Sequence, residues 1–366
     1  MEDRTENKVY EEPEEVETGY EKCDACGSNM KYDPQSNMLY CEHCGSKRAF
    51  GTGEQAEELA IENALKERNA GSWNEETKVF RCENCGAKVV LSKAETATCC
   101  PFCGTAQVVE ADELAGLKPN AVLPFKLTAD DSNEACKKWA KGKVFAPRAF
   151  KKNLKAENMR GVYIPCFTFD SATFSRYYGR VGKRHTRTVG SGKNRRTETY
   201  IVWRNISGSF NHRFDDVTVT AGSKVTQRDL GKMGPFDSNN SRSYDGKYLL
   251  GFTSYHYEKD IVTCWGEAKR SMDAEIKRLI LSQYSYDVLD YINISTSHAD
   301  VTYKYVLLPV YAGHFSFKKK DYNFFVNGTN GKVTGKTPVA VWKVLLTVLA
   351  GAAALAGLVY LVMQFM

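Results

Sequence analysis

The sequence predicts two tandem four-cysteine zinc ribbons, an α+β domain with mainly antiparallel sheet, and one C-terminal transmembrane helix. Three observations carry this expectation. Four C-x-x-C pairs recur with one spacing in the first third of the chain. A long stretch rich in β-branched and aromatic residues follows them. The last 23 residues carry no charge. With 366 residues, 42% apolar and 26% charged, most of the chain has the composition of ordinary globular protein.

Residues 1–20 hold eight acidic residues against two basic ones and no apolar run. They read as an acidic disordered tail and not as a signal peptide. Residues 21–50 carry Cys23-x-x-Cys26, fourteen residues, then Cys41-x-x-Cys44. Residues 78–110 repeat the arrangement as Cys82-x-x-Cys85, fourteen residues, then Cys100-x-x-Cys103, at an offset of 59. A two-residue gap lets one tight turn aim two sulfurs at a point, and a tetrahedral metal takes four of them about 2.3 Å away. A glycine follows every pair, at Gly27, Gly45, Gly86 and Gly104. It supplies the positive φ that brings backbone amides near the sulfurs. The spacing therefore predicts two structural Zn²⁺ ions per chain, in closed sites with no position left for a catalytic water. Iron–sulfur clusters use the same ligands, and disulfides or idle thiols are the plainer alternative. Cys99 breaks the repeat and is read as a bystander; His43 is read as exposed, because four thiolates fill the site. Each four-thiolate zinc site has a net charge of −2, so the formal +6 of the chain falls to about +2. A nucleic-acid role would have to rest on a local patch.

Residues 51–77 form a linker in which 54–69 has the residue types of a helix. Residues 111–335 form the α+β domain. A helix is expected near 132–142 with Ser132 as N-cap, and a second near 266–283, where Ala268, Met272, Ile276, Leu279 and Ile280 share a face. Strands are expected at 163–169, 199–203, 207–210, 303–311, 315–317 and 322–326, the last running into the Asn-Gly-rich turn 327–331. Residues 336–343 make a basic juxtamembrane segment, and 344–366 are long enough to span a bilayer. Lys332, Lys336 and Lys343 precede the span and no basic residue follows it. The expected topology is single-pass in the cell membrane, with the N-terminal bulk cytoplasmic. A buried core helix is the alternative. Sequons at Asn205, Asn293 and Asn327 would matter only outside the cell.

No catalytic motif stands out. Gly51–Ala56 resembles a dinucleotide fingerprint without its βαβ unit, and Asn330–Thr337 resembles a phosphate loop without its first glycine. The five histidines after residue 111 lie in no local motif, and adjacent Asp215 and Asp216 would point to opposite faces of a strand. One charge feature is distinct: Arg176, Arg180, Lys183, Arg184, Arg187, Lys193, Arg195 and Arg196 occur with no acid among them, around a tip at Gly190–Gly192. This basic loop is a candidate for polyanions, either nucleic acid or anionic lipid, against the alternative of a solvated loop.

Cys100-Pro-Phe-Cys103-Gly104 and the paired ribbons resemble bacterial proteins carrying a transcription-factor-IIB-type zinc ribbon. Segments 145–150, 161–170, 307–311 and 325–335 are similar to recurring segments of that family. The resemblance covers most of residues 20–340. It implies a zinc-binding membrane protein of uncharacterised function, sometimes labelled primosomal-helicase-like; this chain lacks a complete Walker A motif and room for helicase motors. Cys166 and Tyr311 depart from the aromatic and the tryptophan of the family pattern. The expected function is a non-enzymatic binding or scaffold module for a protein partner at the membrane. The alternatives are a membrane-tethered nucleic-acid binder and an enzyme with a spatially assembled site.

Overall fold

The structure is a computed structural model that describes residues 21–51, 53–67, 77–92, 100, 102, 108–111, 117–153, 159–317 and 320–364. The expected acidic tail lies outside them. Near the N-terminus, β1 (Met30–Asp33), β2 (Met38–Cys41) and β3 (Lys47–Arg48) form a small antiparallel sheet. Met30, Tyr32, Leu39 and Cys41 are buried on its inner side. Tyr32 edges onto Tyr248, and its N–H donates to Leu250 O at 3.0 Å, so this unit packs onto the main core instead of standing apart.

The expected 54–69 helix is shorter. Leu59–Ala60 forms β4, paired with Tyr303 and Thr302, and α1 occupies only Ile61–Glu67; residues 68 and 69 lie outside the described residues. Pairing to a neighbouring strand overrides local helix propensity here. The second cysteine unit contains β5 (Thr77–Cys82), β6 (Lys88–Ser92) and β7 (Val108–Ala111). It joins the large sheet, because β6 pairs with β12 (Thr253–Tyr255), which in turn pairs with β9 (Met159–Val189).

Three strands build the centre. β9 runs for 31 residues, β10 (Arg196–Thr220) for 25 and β13 (Val288–Phe317) for 30, with β9 in the middle and antiparallel to both. The separate strands expected at 199–203 and 207–210 are one strand, as are 303–311 and 315–317. Beside β13 lie β8 (Ala121–Val122), which pairs with β11 (Arg242–Ser243), and β14 (Lys320–Asn327), which pairs with β15 (Val333–Gly335). Among the described residues, pairing is antiparallel except for β8 with β13 and β12 with β9.

Helix α2 spans Ala129–Lys141. Its N-cap is Thr128, not Ser132: Asp131 N–H donates to Thr128 Oγ1, and Asp131 Oδ2 accepts from Thr128 N–H at 2.9 Å, a reciprocal capping box. Ser132 is instead buried on the inner face. After α3 (Arg148–Asn153) and α4 (Gln227–Met233), helix α5 (Ile261–Ser282) is capped by Asp260, whose carboxylate accepts from Thr263 N–H at 2.9 Å. It buries Ile261, Cys264, Ala268, Met272, Ile276 and Ile280, positions three or four apart, and so lays one apolar stripe on the central strands. Trp265 meets Phe169 of β9 there. Of the expected face, Leu279 is only half-buried.

The chain ends in α6 (Val341–Gln364), a helix long and apolar enough to cross a membrane. The Asn327–Gly331 turn is held by Asn327, fully buried, whose Oδ1 accepts from Thr329 N–H at 2.8 Å and whose Nδ2 donates to Met233 O. The phosphate-loop resemblance at 330–337 is thus a structural turn running into β15.

Candidate metal centres and the exposed arm

Three of the four cysteine turns are described in full, and they share one geometry. Cys23 N–H donates to Ser28 O and Gly27 N–H to Cys23 O; Cys41 with Ser46 and Gly45, and Cys82 with Ala87 and Gly86, do the same, all at 2.8–2.9 Å. Gly27, Gly45 and Gly86 take φ of 71°, 75° and 71°, the left-handed conformation that closes such a turn without a Cβ clash. Two turns facing each other bring Cys23, Cys26, Cys41 and Cys44 together, with all four sulfurs within 4.8 Å. Cys23 Sγ is 3.5 Å from Cys44 Sγ, and Cys26 Sγ is 3.5 Å from Cys41 Sγ. A tetrahedron with metal–sulfur bonds of about 2.3 Å has edges of about 3.8 Å, so the spacing suits one ion. The Ser28 and Ser46 hydroxyls, with their backbone amides, stabilise thiolates at Cys26, whose pKa falls to about 5, and at Cys44, also lowered.

In the second unit Cys82, Cys85 and Cys100 gather in the same way, with Cys85 and Cys100 sulfurs 3.6 Å apart. Cys103, Cys99 and Gly104 lie outside the described residues.

The basic segment is not a loop. Arg176, Arg180, Lys183, Arg184 and Arg187 lie on β9 and Arg196 opens β10, so most of them belong to a paired hairpin; Lys193 and Arg195 sit at its tip. The Gly-Ser-Gly triplet does lie at the hairpin tip; it is the basic residues before it that belong to a strand instead of a loop. From Ser171 to Val181, odd residues of β9 are buried while even residues from Phe174 to Arg180 are exposed. The odd face receives α5: Val181 and Ile206 pack on Leu281, and the Tyr177 and Tyr284 hydroxyls are 2.6 Å apart. The even face is open. Its residues include Phe174, Arg176, Tyr178 and Arg180 on β9, Trp203, Asn205 and Ser207 across on β10, and Tyr291 and Asn293 on β13. Tyr178 is 59% exposed and Trp203 40%, values far above those of core aromatics in this chain. Arg176 lies over Phe174, Arg180 over Trp203, and Arg187 over Tyr200, each within 6 Å of the ring centre. Asp290 pairs with Arg180, and Glu198 with Arg187 and Arg196. Arg176, Arg184 and Arg195 have no carboxylate partner among the described residues.

At the base of this arm is a cluster that sequence reading missed. Two β-bulges fall at the same level of the sheet, at 214/217 on β10 and 299/302 on β13, where Asp216 and Asp300 take φ of 52° and 50°. The bulge breaks the alternation that was expected to separate Asp215 from Asp216. Carboxylate oxygens of Glu58, Asp170 and Asp215 come within 4.8 Å of one another, and Asp216 N–H donates to Asp170 Oδ1 at 2.6 Å. Buried Lys304 answers them, 2.9 Å from Asp216 and 3.2 Å from Glu58. Burial opposes its charge, but Asp216 and Glu58 outweigh this and raise its pKa. Burial, reinforced by a hydrogen bond shared with Glu58, pushes Asp170 up to about 7, whereas that same bond lowers Glu58. The only signals in sequence are a mid-strand Asp170 and the Asp215-Asp216 pair.

Other nucleophilic and titratable groups lie elsewhere in the domain. Ser171 Oγ is 3.4 Å from His298 Nδ1, and His298 Nε2 is 3.9 Å from Asp273. The second distance is too long for the hydrogen bond that orients a catalytic imidazole, and the Ser171 side chain is buried and also within reach of the Ala172 and Ala299 carbonyls. Cys264 and Cys136 are buried with pKa pushed up to about 12. His256 is buried, and desolvation lowers it to about 4. A cleft of about 600 Å³ lies between the first cysteine unit and the sheet; its Lys31 and Lys47 are already paired with Glu42 and Asp33.

No family model matches the chain, and no solved structure matches it. The chain is similar to a Bacillus subtilis (strain 168) protein named Uncharacterized protein YdjG, with 28% identity over 327 residues, covering 88% of this chain and 91% of that protein. The likeness therefore runs nearly end to end in both proteins.

Proposed function

We propose that the chain is a tail-anchored, non-enzymatic binding module held at the cytoplasmic membrane face. Two structural zinc ions fix the cysteine units as zinc ribbons, α6 anchors the chain, and the open face of the β9–β10–β13 arm receives an acidic protein partner. The zinc reading is supported by four convergent sulfurs at tetrahedral spacing, in a site that four cysteines close. Cys103 would complete the second set. Neither unit has room for a large core, and structural zinc contributes about 10–16 kcal/mol to such units.

The observation that carries the binding function is the open face of the arm. Arginine, tyrosine and tryptophan are the residues that dominate the energetics of protein interfaces. Here they are laid out on a rigid sheet, with guanidinium groups already stacked on rings, so little side-chain entropy remains to be lost on binding. The same alternation of cations and rings favours a second reading, single-stranded nucleic acid. Affinity capture from detergent extracts separates the two, using the full chain and an Arg176→Glu/Tyr178→Ser variant. A protein captured by the wild type, lost with the variant and indifferent to nuclease supports the first reading. Enriched nucleic acid supports the second, with affinity falling on the order of a thousandfold between 50 and 200 mM salt for about six phosphate contacts. Identical capture by both chains refutes the role of the arm.

A further inference from the structure

The turn between α2 and α3 is fastened to the root of α6. Ala340 N–H donates to Phe145 O at 2.8 Å, and Lys343 Nζ donates to Val144 O at 3.0 Å and Ala146 O at 2.7 Å. A helix rises about 1.5 Å per residue, so the turn sits within about one helical turn of where α6 begins. At its tip Val144 and Phe145 point outward, 67% and 42% exposed, and the first residues of α6, Val341 and Trp342, are open beside them.

Charge is sorted toward the same place. Lys137, Lys138, Lys141, Lys143, Arg148 and Lys151 fall between residues 137 and 151, with no Asp or Glu among them. The acidic residues of α2, Asp130, Asp131 and Glu134, are at its other end. Lys151 is used internally, donating to Lys141 O. The other five side chains are exposed and have no carboxylate partner among the described residues. Helix electrostatics explains only part of this. Lysines suit the C-terminal end of α2, but Arg148 opens α3, where a cation is unfavourable, and Lys143 lies between the two helices.

We propose that the α2–α3 turn is a membrane seat: Val144 and Phe145 enter the interface of an anionic bilayer, and Lys137, Lys138, Lys141, Lys143 and Arg148 meet its headgroup phosphates. This rests on α6 being a membrane anchor, as read above. Continuity with α6 fixes the occupant, because whatever lies at the root of that helix faces the bilayer surface. Apolar tip residues flanked by basic ones match the layering of an interface, with acyl chains beneath phosphates. The seat would set the tilt of the domain over the membrane.

The test is amine-reactive footprinting of the full chain in lipid nanodiscs, read by mass spectrometry. One disc is zwitterionic phosphatidylcholine; the other contains about a third phosphatidylserine, enough to give the surface a strongly negative potential. Labelling of Lys137, Lys138, Lys141 and Lys143 is expected to fall several-fold in the anionic disc and to recover at high salt, while Lys277, exposed on α5, stays unchanged. The Lys141→Glu/Lys143→Glu variant, altered only at exposed side chains, should lose the protection of Lys137 and Lys138. Equal labelling in the two discs, from protein that co-elutes with them, overturns the seat and leaves the anchor standing. Protection that includes Lys277 overturns it as general adsorption. Failure to co-elute overturns the anchor, and the seat with it.

Discussion

Replacing Lys304 with methionine isolates a buried cation that faces the carboxylate cluster. Lys304 is 5% exposed, 2.9 Å from Asp216 and 3.2 Å from Glu58, with Asp170 and Asp215 adjoining. Methionine keeps much of the apolar stem and removes the charge. Breaking a buried pair from one side costs about 3–5 kcal/mol, and partial exposure of Glu58 and Asp215 places this case at the lower end, about 3 kcal/mol at pH 8. The pH dependence gives the prediction its signature. Glu58 has a lowered folded pKa, so its contribution is present above its unfolded pKa and is lost as pH falls. Asp170, raised to about 7, contributes in the opposite sense: its stability is present at low pH and is lost as pH rises through 7. Without Lys304 the remaining carboxylates take up protons more readily, so the penalty should shrink to about 1 kcal/mol by pH 5. The assay is thermal denaturation of the detergent-extracted chain from pH 5 to 8, wild type against Lys304→Met. At pH 8 the melting point should drop by about 6–12 °C. A drop that is the same at both ends of the range, or below 2 °C at pH 8, refutes the electrostatic account. Adding Asp216→Asn should recover part of the loss, because it removes the carboxylate left without its cation.

Three further outcomes follow from the same structure. Asp170→Asn removes the group that loses its proton near neutrality, so stability should fall less between pH 6 and 8 than in the wild type; an unchanged profile places the titration elsewhere. Gly313→Ala sets a Cβ 2.3 Å from the ring of buried Phe324, which should cost about 1–3 kcal/mol by denaturation, whereas Gly246→Ala meets no atom within 4 Å and should be nearly neutral. Ending the chain after Lys343 should release it from membranes into the soluble fraction; retention through a carbonate wash would show that α6 is not the anchor.

What the sequence made legible was whatever depends on near neighbours. The C-x-x-C turns are local, so spacing and glycine pattern described them before any coordinates, and three show the positive φ that the glycines implied. The buried stripe of α5 and the uncharged run of α6 are likewise periodic signals within one element. Long-range pairing was not legible. Nothing local says that Met159–Val189 is one strand, because its partners on β13 lie more than 100 residues away. Leu59 and Ala60 look helical until β13 is beside them. The carboxylate cluster was hidden for the same reason: Glu58, Asp170 and Asp215 meet only because two bulges fall at one level of the sheet. Two misses did have a signal. Thr128-x-x-Asp131 is a capping box, and the even spacing of Arg176, Tyr178, Arg180 and Arg184 is strand periodicity, not loop composition.

Both cysteine units pack against the domain that carries the arm, so what holds their sulfurs together bears on the whole fold. Elemental analysis of the purified full chain tests this most directly. Two zinc ions per chain are expected, and one in the Cys23→Ser/Cys26→Ser variant. Iron in place of zinc, or less than half a zinc ion per chain, would contradict the zinc reading.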